Sequence, residues 1–579
     1  MIRPEYPDPL LSRRDWLSLN GEWEFAADSA GRGVAEKWQQ KAALPERIVV
    51  PFCVESKASG QGRKTRALHF WYRRTVRIPD EWRGRQIHLR IGAADYQCTG
   101  YVNGIKVGEH AGGFTPMAWR VDPFLRDGDN SFCLHVQETR DGSLPRGKQT
   151  HLPVEYTVFY QTFSGIWQPV WLETRGPMHL IGAHAVPDVS AKSFVFHLRI
   201  HEPVGGEVGI KLIHPDGEAD TEVHAEIDGE RMAVPVHPRR VARWSPDEPN
   251  LYTVRYTIRQ NEQVVDEAEG YAGLRSFRVA DGKVLLNGQP FYQKLVLYQA
   301  YYPEGWVTAV DDETYRRDVE LIKACGFNGL RLHQTLADPC LLYWCDRLGL
   351  VVWDEMPSAF VFSLVDRAAF EALLREAIDR DLGHPAVMLW LLFNETWGIF
   401  DLLWSEKTRD WLREMIALTR RLDPSRPVID NSGYEHLATD ILDVHHYLAG
   451  AERIRDFYRR LADPAQLPYR HWRNLYVALP RRVYKSPLLD PSSYQGQPVV
   501  ISECGGHGFK HYGDRSLSLA DGLRQTFDLL AEHEHLQGFA YTQFCDVAQE
   551  ENGLFTFDRR PKIEPAEVRR LLESAFGHR

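Results

Sequence analysis

Residues 384–400 read HPAVMLWLLFNETWGIF, and the apolar run from Ala386 to Phe393 passes without a break into Asn394 and Glu395. An apolar run of this length is the pattern of a strand buried on both faces, as in a parallel sheet covered by helices. Working outward from it, strand-like runs alternate with amphipathic helices. PFYQKLVL is followed by the helical DETYRRDVELIKACG, which stops at Gly326, and then come FNGLRL, a further helix and LGLVVWDE. Beyond the central run lie RPVID, DILDVHHY, QPVVISE and GFAYTQF. Strand starts near 291, 327, 350, 387, 427, 441, 498 and 538 predict a (β/α)8 TIM barrel over residues 276–579.

The first 275 residues have a different rhythm. Short alternating runs such as GEWEF, WYRRTVRIP, QIHLRIGA and SFCLHVQE, with an Asn-Gly hairpin signal in VNGIKV, predict a β-sandwich over 1–175. SFVFHLRIH, GEVGIKLIH and LYTVRYTIR predict a smaller immunoglobulin-like sandwich over 176–275. A long Arg- and Tyr-rich insertion, 449–497, precedes barrel strand seven, and loops of that length usually border an active site. The 579 residues are 26% charged, with mean hydropathy of -0.40, net charge of -10 and pI near 6.2. That balance gives no basic footprint for nucleic acid and no attraction to an acidic membrane surface. The amino terminus has no apolar signal region, and the chain is read as cytoplasmic. Eight scattered cysteines read as core residues; Cys340 and Cys345 are too loosely clustered for zinc.

Catalytic groups of such barrels stand at the carboxyl ends of strands. Glu395 ends strand four, Glu503 ends strand seven, and Asp354 and Glu355 end strand three. Carboxylates on strands four and seven face each other across the barrel mouth, as glycoside hydrolysis by two carboxylates requires. Glu395, behind Phe393 and beside Trp397, is placed in an apolar setting that suits the acid, and Glu503, before small residues in CGGHG, suits the nucleophile. His446 and Tyr447 at the end of strand six, and Arg331 and His333 at the end of strand two, are candidates to hold Glu503 ionised. Residues 142–150, GSLPRGKQT, have the spacing of a phosphate-binding loop, but Gln149 replaces the required hydroxyl and no strand-to-helix context surrounds it. They read as a loop of the first domain that could reach toward the barrel.

The segments SGIWQPVWLE (164–173), DRLGLVVWDE (346–355), HPAVMLWLLFNE (384–395), PVVISE (498–503) and ENGLFTFDRRPK (551–562) together resemble glycoside hydrolase family 2. This is the family of β-galactosidases, β-glucuronidases and β-mannosidases. The resemblance implies a jelly-roll domain, an immunoglobulin-like domain and a catalytic barrel in that order. It further implies acid/base Glu395, nucleophile Glu503, Asn394 as donor to the sugar 2-hydroxyl and Tyr541 as the strand-eight aromatic platform. Gln543 and Glu355 join the candidate substrate contacts. Uronidases of the family carry an Asn-x-Lys whose lysine holds the sugar carboxylate; this chain has Glu550, Glu551 and Asn552 there. The departure favours a neutral sugar, a β-galactoside above all, over a β-glucuronide or β-galacturonide. No cofactor or metal is implied. The partner is a glycoside or oligosaccharide, and homo-oligomer assembly is left open. A carbohydrate-binding protein on a retired enzyme scaffold is the reading from another class; a retired site should have lost a carboxylate, and both remain.

Overall fold

The computed structural model describes residues 2–577 apart from 66, 153, 468–485, 510 and 513. Alternation builds the first sandwich. Along Asp129–Gln137, Phe132, Leu134 and Val136 face the core between the two sheets, while Cys133 lies on the opposite side against Trp71. This strand belongs to a six-stranded sheet covering a four-stranded sheet that includes Gln86–Ile91 and Val170–Arg175. Asn103 and Gly104, with φ of 51° and 81°, turn the hairpin between Gln97–Val102 and Ile105–Ala111. Two successive left-handed residues suit the right-handed twist of the paired strands. The second sandwich places a three-stranded sheet on a four-stranded one, around Phe194, Phe196, Ile210, Tyr252 and Tyr256.

All eight barrel strands form: one (Gln293–Tyr298), two (Gly329–Leu332), three (Val351–Glu355), four (Val387–Asn394), five (Val428–Ser432), six (Leu442–His445), seven (Val499–Gly505) and eight (Leu536–Thr542). They pair in parallel, in the order five-four-three-two-one-eight-seven-six. The surrounding helices are α1 (Asp312–Ala324), α2 (Pro339–Leu348), α3 (Arg367–Asp381), α4 (Glu406–Leu422), α5 (Ala451–Arg460), α6 (Leu519–Ala531) and α7 (Pro565–Phe576). Asp311, Asp366, Ser405 and Ser518 cap α1, α3, α4 and α6 by accepting from backbone N–H groups of the first turn. Among the described residues no helix is long and apolar enough to cross a membrane. All eight cysteines are buried and unpaired.

Every residue of strand four is buried. Phe393 points outward, its ring stacking on Phe370 of α3 at 4.5 Å and meeting Trp411 of α4. The expected placement of Phe393 behind Glu395 is therefore corrected: alternation sends Phe393 to the helix layer and its successor Asn394 to the lumen.

Residues 433–441 join strands five and six without a helix, and the strand ladder is open between them. Side chains close this seam. His436 contacts Asp430 Oδ1 at 2.7 Å and Asp443 Oδ1 at 3.3 Å, and Ser432 and Ser502 both donate to Asp443. Burial works against a charge on His436, but Asp430 and Asp443 outweigh it and raise its pKa to about 10. The insertion before strand seven contributes α5; its centre, 468–485, lies outside the described residues, and with it the expectation that the insertion borders the site.

Candidate active site

The chain turns sharply where strand four ends, with Glu395 and Thr396 at φ of 49° and 67°. Consecutive left-handed residues that are not glycine cost free energy and persist only where their surroundings hold them. Here the Glu395 N–H donates to Ser432 O at 2.9 Å, the Thr396 N–H to Asn431 Oδ1 at 2.8 Å, and the Thr396 hydroxyl to Glu435 at 2.8 Å. The turn presents the Glu395 carboxyl, 22% exposed, to the barrel axis. Glu503 is more enclosed, its side chain 8% exposed.

His445 links the two. Its Nδ1 lies 3.1 Å from Glu395 Oε1 and its Nε2 lies 3.5 Å from Glu503 Oε1. One carboxylate oxygen of each glutamate and a His445 ring nitrogen all fall within 4.8 Å of one another. Arg331 Nη1 also points at His445 Nε2, at 2.9 Å. A guanidinium can only donate, so Nε2 accepts, and the imidazole proton belongs on Nδ1, where it donates to Glu395.

Arg331 is fully buried and organises the floor of the site. It donates to Glu503 Oε1 at 3.0 Å, to Ser502 O at 3.0 Å, to Asn394 Oδ1 at 2.8 Å and to Glu355 Oε2 at 2.9 Å. Burial opposes its charge, but Glu355, Glu503 and Asp443 prevail and hold the guanidinium above its usual pKa. Tyr447 donates to Glu503 Oε2 at 2.6 Å. Burial, then the charge of Glu503, keeps the Tyr447 phenol well above its usual pKa, so it remains a donor. Glu503 thus accepts hydrogen bonds from a guanidinium and from a phenol. The half-buried Tyr434 phenol, also raised well above its usual pKa by desolvation and then by Glu395, hydrogen-bonds Glu395.

The structure therefore brings Glu395, Glu503, Asn394, Arg331 and Tyr447 together at the barrel mouth. His333 and Glu355 stand behind them. His333 Nδ1 lies 3.3 Å from Glu355, and Arg331 with His333 holds that carboxyl below its usual pKa against the effect of burial. Glu355 is fully buried, and its carboxyl is taken up by Arg331, which it orients. Gln543 is likewise buried, its amide donating to Asn552 Oδ1 at 2.8 Å in the wall of the site.

Two expectations are corrected. His446 turns away from the site: its Nε2 meets the Tyr458 hydroxyl at 2.6 Å, and burial lowers its pKa to about 3. Tyr541 is fully buried and runs against His507 and beneath Gly505, while the hydroxyl of its neighbour Thr542 donates to the Tyr447 oxygen at 3.2 Å, the one phenol hydrogen being given to Glu503. The physical reason is the same for both. Side chains alternate along a strand, so inward-facing Asp443, His445 and Tyr447 exclude His446, and inward-facing Thr542 excludes Tyr541. Counting in twos back from Tyr447 would have found His445.

The glutamate pair with His445 is a possible donor set for a cation, but Arg331 already places positive charge between Glu503 and His445. A second set, Glu5, Asp312 and Cys340, has Arg3 paired to Glu5 and Asp338 beside it. The first domain supplies one side of the cup. The Arg146 and Gly147 N–H groups donate to Ser358 O at 3.1 and 2.9 Å, and Phe159 stacks on Trp397 at 5.0 Å. Tyr160 and Tyr512 donate to the buried Glu550, and Tyr512 lies 4.1 Å from Tyr447, ring centre to ring centre.

Paired carboxylates at the ends of strands four and seven of a (β/α)8 barrel define the glycoside hydrolase class of site. The sequence matches the family 2 sugar binding domain over 16–175, glycosyl hydrolases family 2 over 179–275 and the family 2 TIM barrel domain over 277–553. The chain belongs to glycosyl hydrolases family 2. It is 28% identical over 457 residues to a β-glucuronidase of Paenibacillus borealis, covering 73% of this chain and 74% of that one. It is 25% identical to a β-galactosidase of Thermoanaerobacter pseudethanolicus, over 78% of this chain and 59% of the other. The match to a relative from Formosa agariphila spans only 46% of that protein's length. Among solved structures, the Ruminococcus gnavus β-glucuronidase superposes with a TM-score of 0.78 at 20% identity, covering 99% of this chain and 100% of the other.

Proposed function

We propose that the chain is an exo-acting, retaining β-glycosidase in which Glu503 is the nucleophile and Glu395 the general acid and base. The observation that carries this reading is the approach of the two carboxylates, with oxygens within 4.8 Å of one another. Retaining enzymes hold their carboxyl groups about 5–5.5 Å apart, while inverting ones leave about 6.5–9.5 Å for a water. Glu503 attacks the anomeric carbon as the carboxyl proton of Glu395 passes to the departing oxygen, giving a glycosyl ester on Glu503. Glu395, now ionised, then takes a proton from water, whose oxygen displaces Glu503 with the original configuration restored. His445 and Tyr434 orient Glu395, while Arg331 and Tyr447 orient Glu503. Asn394, its oxygen fixed by Arg331, turns its amide N–H group to the sugar.

A terminal β-linked uronic acid is the sugar this reading favours, supported by relatives named β-glucuronidase over most of the chain's length. A neutral β-galactoside is the second reading, favoured by Glu550 and Asn552 in place of the lysine of the family's uronidases. Rates on nitrophenyl β-glucuronide, β-galacturonide, β-glucoside and β-galactoside decide between them. Proton NMR of the first product tests the mechanism: the β anomer is expected, and an initial α anomer overturns it.

A further inference from the structure

Lys148 is 6% exposed, yet its ammonium makes no ion pair or hydrogen bond with any described residue; only its backbone carbonyl is engaged, accepting from the Tyr160 N–H at 2.8 Å. Lysines are almost never buried this far unless an anion accompanies them. Its ammonium lies 5.3 Å from the ring centre of Trp397 and 5.7 Å from that of Tyr160. Aromatic faces stabilise a cation but accept none of its three N–H groups in a strong hydrogen bond.

Both aromatic neighbours belong to the cup. Trp397 is two residues past Glu395, its backbone N–H donating to Asn394 O at 2.8 Å. Tyr160 leads through Glu550 and Tyr512 to Tyr447, the partner of Glu503. The loop holds Lys148 there by pinning the residues on either side. Gly147 adopts φ of +63° so close to the barrel that an added Cβ would lie 2.3 Å from Gln334 O. Arg146 donates to Glu138 at 2.9 Å and to Gln149 at 3.2 Å, and the Gln149 amide donates to Asp95 at 2.7 Å. The Lys148 side chain takes no part in this anchoring, so its charge is left for something that enters the cup.

We infer that Lys148, supplied by the first domain, is the receptor for the carboxylate of a uronic acid held against Glu395 and Glu503. This rests on the uronide reading above and assigns its specificity to a residue outside the barrel. The test compares kcat/KM within matched pairs, β-glucuronide against β-glucoside and β-galacturonide against β-galactoside, for the wild type, Lys148→Gln, Lys148→Met and Lys148→Arg. In the preferred pair the ratio of acid to neutral sugar should fall about 10- to 100-fold in the two uncharged variants. In Lys148→Arg, which keeps the charge, it should stay within a few-fold. Lys148→Met retains the apolar stem and carries the test if Lys148→Gln folds poorly. If the uncharged variants keep the wild-type ratio, whether or not both rates drop together, Lys148 is structural and the inference is overturned while the uronide reading stands. If the wild type itself cleaves both neutral sugars faster than their acids, the uronide reading falls and the inference with it.

Discussion

Glu395 and Glu503 differ in what touches them, and the proposed division of roles rests on that difference. Glu503 receives a guanidinium and a phenol, Glu395 an imidazole and a phenol, so the fixed positive charge stands beside Glu503. Replacing Glu395 with Ala should slow substrates with poor leaving groups by about 10²–10⁴. Dinitrophenyl glycosides, which need little protonation, should still form the glycosyl ester, and azide should then yield the β-glycosyl azide. Replacing Glu503 with Ala should leave no substrate rescued by its leaving group alone, and azide should give the α product. Azides of the opposite configurations would reverse the assignment. Tyr447→Phe removes one charge-assisted hydrogen bond from Glu503 and should lower kcat by about 10- to 100-fold with the fold intact. Steady-state rates beside a circular dichroism spectrum check this; an unchanged kcat would mean that Tyr447 does not position the nucleophile.

The seam between strands five and six closes through charge where the other strands close through backbone ladders. The pKa of His436 rises from an ordinary 6.5 to about 10 in the folded protein. The stabilisation this gives is fully present below pH 6.5 and is lost as pH rises toward 10, because the unfolded chain releases the proton first. Thermal unfolding between pH 7 and 9 should therefore show stability declining with a slope of up to about 1.4 kcal/mol per pH unit from this group. His436→Gln should flatten that slope, and its destabilisation from this group should be largest at about pH 6.5 and fade toward pH 10. Equal slopes in the two proteins would remove His436 from the account.

The cup is a product of two domains. Gly147 lets the first domain's loop reach Gln334 and Ser358 at the barrel mouth. Gly147→Ala forces a side chain into the left-handed region and against a carbonyl oxygen, so the loop must withdraw. A loss on the order of 1–2 kcal/mol is expected, with a fall in kcat/KM as Lys148 and Tyr160 move. Both are read from thermal unfolding and steady-state kinetics; retention of full activity would show that the loop's position does not matter to catalysis.

From the sequence alone, periodicity places all eight barrel strands, because a strand buried on both faces must be apolar throughout and its first polar residues must mark the lumen end. Glu395, Glu503, Asn394 and Arg331 are legible for that reason. The direction of the residues just past those runs is not. His445 and His446 are identical side chains, and only the register of strand six sends one to the glutamates and the other to Tyr458. Tyr541 fails as a platform by the same rule, since the lumen position falls to Thr542. Lys148 lies furthest from any local signal: its loop reads as a phosphate-binding pattern without its context, and 247 positions separate it from Glu395. Tertiary structure alone decides its role, because whether a buried charge is satisfied depends on which domain folds against it.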